Sequence, residues 1–185
     1  VDKTPLSLWP MMLAVKIFGL NSYSLLGPEA LLGVASVALL YRTVRRYHGV
    51  PAALIAGWAL ALTPVATLLF RFNNPAAMLV FLMIAAVCAG LRGVEDGRWR
   101  WVVAAGAFIG LGFLAKQLQV LLIVPPLALM WLICARGGVM RRIGQLLAAG
   151  ASMVAAVSLH IAGVELWPVD KRPNISGSPN NSIFE

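Results

Sequence analysis

Seven apolar runs follow one another along this chain with almost nothing polar between them, and that pattern leaves few ways to fold. They cover residues 6–20, 25–41, 50–70, 75–91, 99–114, 118–134 and 143–164. A helix needs roughly 20 apolar residues to cross a bilayer. Within lipid, every backbone N–H and C=O must be paired inside the protein, which restricts spanning structure to helices and closed barrels. Of the 185 residues, 60% are hydrophobic and 12% charged, against about a quarter charged in a soluble domain. Lipid must therefore solvate the surface. The sequence predicts an all-α, polytopic membrane helix bundle of about six transmembrane helices plus one interfacial helix. The bundle is expected over 1–164, with an outer loop and interfacial helix at 1–24, the spans at 25–164, and an extracytoplasmic loop at 165–185. The first run is too short to span comfortably and carries Pro10 and Lys16.

The charges give the bundle two sides. A net charge of +8 does not point to nucleic acid, because the basic residues form no single polar face. They lie in short clusters between apolar runs. Nine of the fifteen fall in three alternate loops: Arg42, Arg45 and Arg46; Arg92, Arg98 and Arg100; Arg136, Arg141 and Arg142. Basic loops stay on the cytoplasmic side. Six crossings then place both ends outside a cell (plasma) membrane. Glu95 and Asp96 belong to the arginine side, while Asp2, Glu29, Glu165, Asp170 and Glu185 belong to the other. Cys88 and Cys134 lie toward the cytoplasmic side, lack paired spacing, and read as small apolar residues. Val1 and Glu185 both fall in loops, so the chain reads as a piece of a longer protein. The tail 168–181 is rich in Pro, Ser, Asn and Gly, and the Asn174 and Asn180 sequons there are weak signals.

Polar residues suited to chemistry gather on the outer side. In Asp2-Lys3-Thr4-Pro5, Thr4 and Pro5 suit a helix start, so Lys3 stands where an anion is favoured. The other reading, which spacing alone favours, is a loop lysine anchoring an interfacial helix. Asn74-Pro75 repeats the pattern after Arg71, either as a second anion-attracting corner or as a tight turn. Lys116 falls where two apolar runs meet, as a functional cation or as one that snorkels. Glu165 closes the last run, and His160 lies about a turn inside it with no role assigned. There is no P-loop, GxGxxG or CxxC motif, and no acid is evident at mid-span for ion-coupled transport.

Asp2-Lys3-Thr4-Pro5-Leu6-Ser7-Leu8-Trp9 resembles a segment of the bacterial glycosyltransferases related to protein O-mannosyltransferases and aminoarabinose transferase. Gly27-Pro28-Glu29-Ala30-Leu31-Leu32-Gly33, Tyr41-Arg42-Thr43-Val44-Arg45-Arg46-Tyr47, Arg71-Phe72-Asn73-Asn74-Pro75, Gly110-Leu111-Gly112-Phe113-Leu114-Ala115-Lys116, Glu165-Leu166-Trp167-Pro168 and Asn180-Asn181-Ser182-Ile183 continue the pattern. The resemblance covers essentially the whole chain and is closest to the actinobacterial-type branch. It implies a partial type C glycosyltransferase fold working on polyprenyl-phosphate-linked sugars at the outer membrane face. It assigns Lys3 to the donor's lipid phosphate, with Arg71 and Lys116 as further cations and Asp2, Asn74 and Glu165 as outer-face contacts. Membrane lipid and other membrane subunits are the remaining partners, and a divalent metal stays open.

Two departures matter. The family's catalytic acid lies upstream of the Asp-Lys segment, and Ala76 stands where many relatives have Asp after Asn-Asn-Pro. An inverting transfer needs a carboxylate base, so the chain as given is expected to be inactive. Two other readings remain: a non-catalytic polytopic protein binding lipid phosphate or a partner, and a small transporter.

Overall fold

A computed structural model describes residues 5–165. A 3₁₀ turn at Pro5–Ser7 leads into α1 (Leu8–Phe18), then α2 (Ser22–Leu62), α3 (Pro64–Leu69), α4 (Ala76–Asp96) and α5 (Trp99–Lys116). A 3₁₀ segment, Gln117–Ile123, leads into α6 (Val124–Cys134), and α7 (Val139–Glu165) follows. The described residues contain no strand. Four helices (α2, α4, α5 and α7) are long and apolar enough to cross a membrane. The tail sequons, Asp2 and Lys3 lie outside the described residues.

The sequence-based count of about six spans differs from these four helices for two local reasons. First, α2 is not one rod. Gly49 sits at φ 81°, a left-handed conformation that costs glycine little. A Cβ on Gly57 would meet Val37 and Tyr41 at 3.7 and 3.9 Å. Residues 16 and more apart along a straight helix could not approach so closely, so the chain folds back at Gly49 into two antiparallel arms. Pro51 suits the first turn of the returning arm. Second, the run 118–134 is divided between 3₁₀ and α geometry, and the two pieces together reach about 30 Å, roughly the thickness of the hydrocarbon core. Counting the first arm of α2, its returning arm continued by α3, and this composite segment as passages gives six. At 11 residues, α1 reaches only about 16 Å and is too short to cross.

The buried core forms three patches, and α5 contributes to all of them. Leu114 and Ala115 pack with Leu6 and Leu82. Ile109 packs with Leu79, Ala86 and Val120. Val102 packs with Trp131 and Ala135. This helix is so densely surrounded because α7 comes very close. A Cβ on Gly106 would lie 2.1 Å from the Ala149 carbonyl oxygen, and one on Gly110 would lie 2.5 Å from that of Met153. Small residues four apart let membrane helices meet backbone to backbone. The Ser152 hydroxyl donates to the Val103 carbonyl across the same seam at 2.9 Å.

Helix ends are closed locally. The Asn21 side chain accepts from the Ser24 amide at 2.8 Å to start α2, and α4 stops at Gly97, which is left-handed at φ 65°.

Gly106→Val should lower the stability of the detergent-solubilised protein by about 1–3 kcal/mol or more. Gly150→Ala, on the same α7 but with nothing within 4 Å of the new Cβ, should leave stability unchanged or raise it by up to about 1 kcal/mol. Thermal melts of the two variants read the difference.

Candidate functional site

The bundle has two unlike ends. At one, the three arginine-bearing loops come together. Arg46 pairs with Glu95 at 2.9 Å, and the Tyr47 hydroxyl donates to the same carboxylate, joining the α2 turn to the α4–α5 connection. Arg141 donates to the Gly97 carbonyl at 3.1 Å, joining that connection to the start of α7. Arg92 and Arg100 lie over the Trp101 ring at 5.0 and 5.2 Å, near enough for cation–π attraction, and the Trp101 N–H donates to Asp96. Arg142 donates to the Leu132 and Gly137 carbonyls and so closes the end of α6. Gln145 is wholly buried, and both ends of its amide are used: it accepts from Trp131 Nε1 and donates to the Gly97 carbonyl, each at 3.2 Å. The pairings draw together the three loops that alternate along the sequence. Cys88 is buried and Cys134 exposed, both as free thiols.

The opposite end holds the expected site residues that can be described. Lys116 ends α5, its backbone turned out of the helix at φ −157°, and its side chain is half-buried. Leu6, three residues beyond Lys3, packs against Leu114 and Ala115 immediately before it. The N-terminal 3₁₀ turn is thus seated beside Lys116. Arg71 is exposed, on the turn after α3. It stands at one end of an apolar groove of about 750 Å³ between the two arms of α2, lined by Gly33, Val37, Gly57, Trp58 and Phe70 among others. Arg71 follows α3 and Lys116 ends α5, so the structure places the two cations at one end but on different segments of the chain. Asn74 Oδ1 accepts from the Ala76 amide at 3.0 Å, just ahead of α4, whose N-cap is Pro75 rather than the expected Asn74. Ala76 itself is buried in the first turn of α4. Glu165 is the last residue of α7, with its side chain outside the description. Among the described residues, no three His, Cys, Asp or Glu side chains gather as a metal site would require.

Two residues here gain a significance that sequence reading did not give them. Glu29, only 1% exposed, is among the largest fully buried side chains, and its Oε2 has no hydrogen-bond partner. His160 Nε2 is likewise buried and unpartnered, with its ring 5.8 Å from that of Trp9 in α1. The signal for Glu29 was present: an acid inside an apolar run is costly and is kept for a reason. What was missing was its direction, since its helical neighbours Leu25, Leu26, Leu32 and Gly33 are apolar on every side.

A helical membrane bundle with one tightly paired basic end and one end that carries Lys116 and Arg71 defines the class. The chain belongs to the dolichyl-phosphate-mannose-protein mannosyltransferase family, whose model matches residues 2–162. It is 39% identical over 188 residues to the protein named "Putative mannosyltransferase YycA" of Bacillus subtilis (strain 168), with all of this chain and 27% of that protein covered. It is 37% identical over 186 residues to the one named "Putative mannosyltransferase YkcB" of the same organism, with all of this chain and 26% of that protein covered. The chain thus spans about a quarter of the length of these curated relatives. No solved structure matches it. These matches establish a membrane glycosyltransferase family and not the branch within it.

Gln145→Leu would strand the Trp131 N–H inside the bundle. It should cost about 1–3 kcal/mol, read as a lower melting temperature, whereas Arg46→Ala, at a pair about 40% exposed, should leave the melting temperature nearly unchanged.

Proposed function

We propose that this chain is part of a glycosyltransferase that takes a sugar from a polyprenyl-phosphate donor and passes it to an acceptor outside the cell membrane. Lys3, Lys116 and Arg71 are the cations offered to the donor's phosphate. Family membership supports the reaction class. The observation that carries the site is the seating of Leu6 against Leu114 and Ala115, which brings the segment following Lys3 to the helix end that bears Lys116. When the sugar leaves, charge accumulates on the phosphate, and fixed cations near a low-dielectric boundary stabilise it without reorganising. In this reading the arginine end faces the cytoplasm, as its nine basic residues favour, and the Lys116 end faces outward.

The same geometry supports binding by this chain without turnover. The carboxylates among the described side chains are Glu29, which is buried, and Glu95 and Asp96, which lie at the arginine end. Ala76 offers no base. A role as a lipid-phosphate binder that lacks its own base is therefore the second reading, and Ala76 favours it.

Polyprenyl phosphate titrated into the chain in lipid nanodiscs should bind, and Lys3→Ala or Lys116→Ala should weaken binding about tenfold, the scale of one lost charge-assisted hydrogen bond. Unchanged affinity in both variants would sink the assignment. The chain supplied with the mannosylated lipid and a peptide acceptor should give no transfer above a no-protein control. In intact cells, a membrane-impermeant maleimide should spare Cys134 and label a Cys134→Ala, Phe72→Cys variant. The reverse pattern would overturn the orientation.

A further inference from the structure

We infer that Glu29 is a substrate-contacting residue, whose carboxyl receives hydroxyl groups of the donor's sugar in a site between α2 and the helices packed on it. The inference rests on the donor reading above and adds the part of the donor that the cations do not explain.

The first observation is the contrast between the two ends. Gln145, buried at the arginine end, has both its oxygen and its nitrogen bonded. Ser36, on the same buried stripe of α2 as Glu29, returns its hydroxyl to the Leu32 carbonyl at 2.7 Å. Ser24 is bonded to Asn21 and to the Gly19 carbonyl. Buried polar side chains in this fold are therefore satisfied as a rule. Among the described residues the exceptions are Glu29 Oε2 and His160 Nε2, both away from the arginine end.

The second observation is where Glu29 lies. It is one turn before Gly33, whose Cβ position would press on the Phe70 side chain at 2.7 Å. The stripe thus faces the end of α3, which leads directly through Arg71 to the start of α4. Here α2 packs on α1, α3 and α4. From α1, Trp9 reaches across to the His160 ring. The short helix thus contacts both helices that carry an unpaired group. No described cation neutralises Glu29; among the described residues the ion pair, Arg46 with Glu95, lies at the other end. A carboxyl kept dry and unpaired, on the stripe of α2 that meets the end of α3, is poorly explained as packing, because leucine would fill the same space without a polar atom to satisfy. It is well explained as a hydrogen-bond acceptor held ready for hydroxyl groups, with ligand hydroxyls supplying what the protein does not.

The test uses the chain in nanodiscs with two probes, polyprenyl phosphate and polyprenyl phosphomannose, on wild type, Glu29→Leu and Glu29→Gln. Wild type should bind the mannosylated lipid at least tenfold more tightly than the bare phosphate. Glu29→Leu should erase that preference while keeping wild-type affinity for polyprenyl phosphate, and should melt at the same temperature or higher. Glu29→Gln, which keeps an acceptor oxygen, should retain part of the preference and serves if the leucine variant does not fold. An unchanged preference in both variants, or a lower melting temperature in both with no change in preference, overturns the inference and leaves the donor reading standing. Failure of wild type to bind either lipid overturns the donor reading and the inference with it.

Discussion

Everything in this bundle hangs on how closely α7 can approach α5. In lipid, helices gain little by hiding apolar surface from one another, since the tails outside are as apolar as leucine. Association depends on close packing instead, and two missing side chains supply it. At Gly106 and Gly110 the backbone of α7 occupies the volume that a Cβ would take. With α7 on one side, α5 still has faces for α4 and for the 3₁₀ segments on either side of the sequence. Each of the three core patches therefore has an α5 residue at its centre. The N-terminal turn finds its seat on the last turn of the same helix, so the position of Lys116 relative to that turn follows from the packing below it.

The second organising constraint is the absence of water. A buried polar group left unpaired costs about 1–3 kcal/mol, and in a bilayer no solvent can rescue it. The arginine end meets this constraint in full, through Gly97, whose carbonyl receives both Arg141 and Gln145. The other end does not, at Glu29 and His160. A stability cost confined to one end of a molecule, at the end where the cations Lys116 and Arg71 are free of arginine-type pairing, fits a division between a structural end and a working end.

Much of this was legible in advance, though unevenly. The helical class, the sidedness of the basic loops and the helix start beside Asn74-Pro75 could be read directly, because each depends on residues near one another in sequence. The Gly106-x-x-x-Gly110 spacing is likewise legible as a contact face. The break at Gly49 was readable only as a loop between runs 25–41 and 50–70, and the tightness of that turn emerged from Gly57 meeting Val37 and Tyr41. Glu29 was visible as an acid on the outer side, but nothing in a run of Leu, Gly, Pro and Ala says which way a helix will turn it.

By itself, the sequence determined that the chain belongs in a membrane, that it is helical, and that its basic loops share one side, since apolar length and charge position are properties of a linear chain. It also carried the family resemblance, which rests on the order of short motifs. Only the tertiary structure decided that the 118–134 run would be split between two helix types and that Glu29 would be buried without a partner. Those outcomes depend on which helix faces come together. That choice is made by contacts such as Gly106 with Ala149 and Gly33 with Phe70, between residues too far apart in sequence for any local pattern to link.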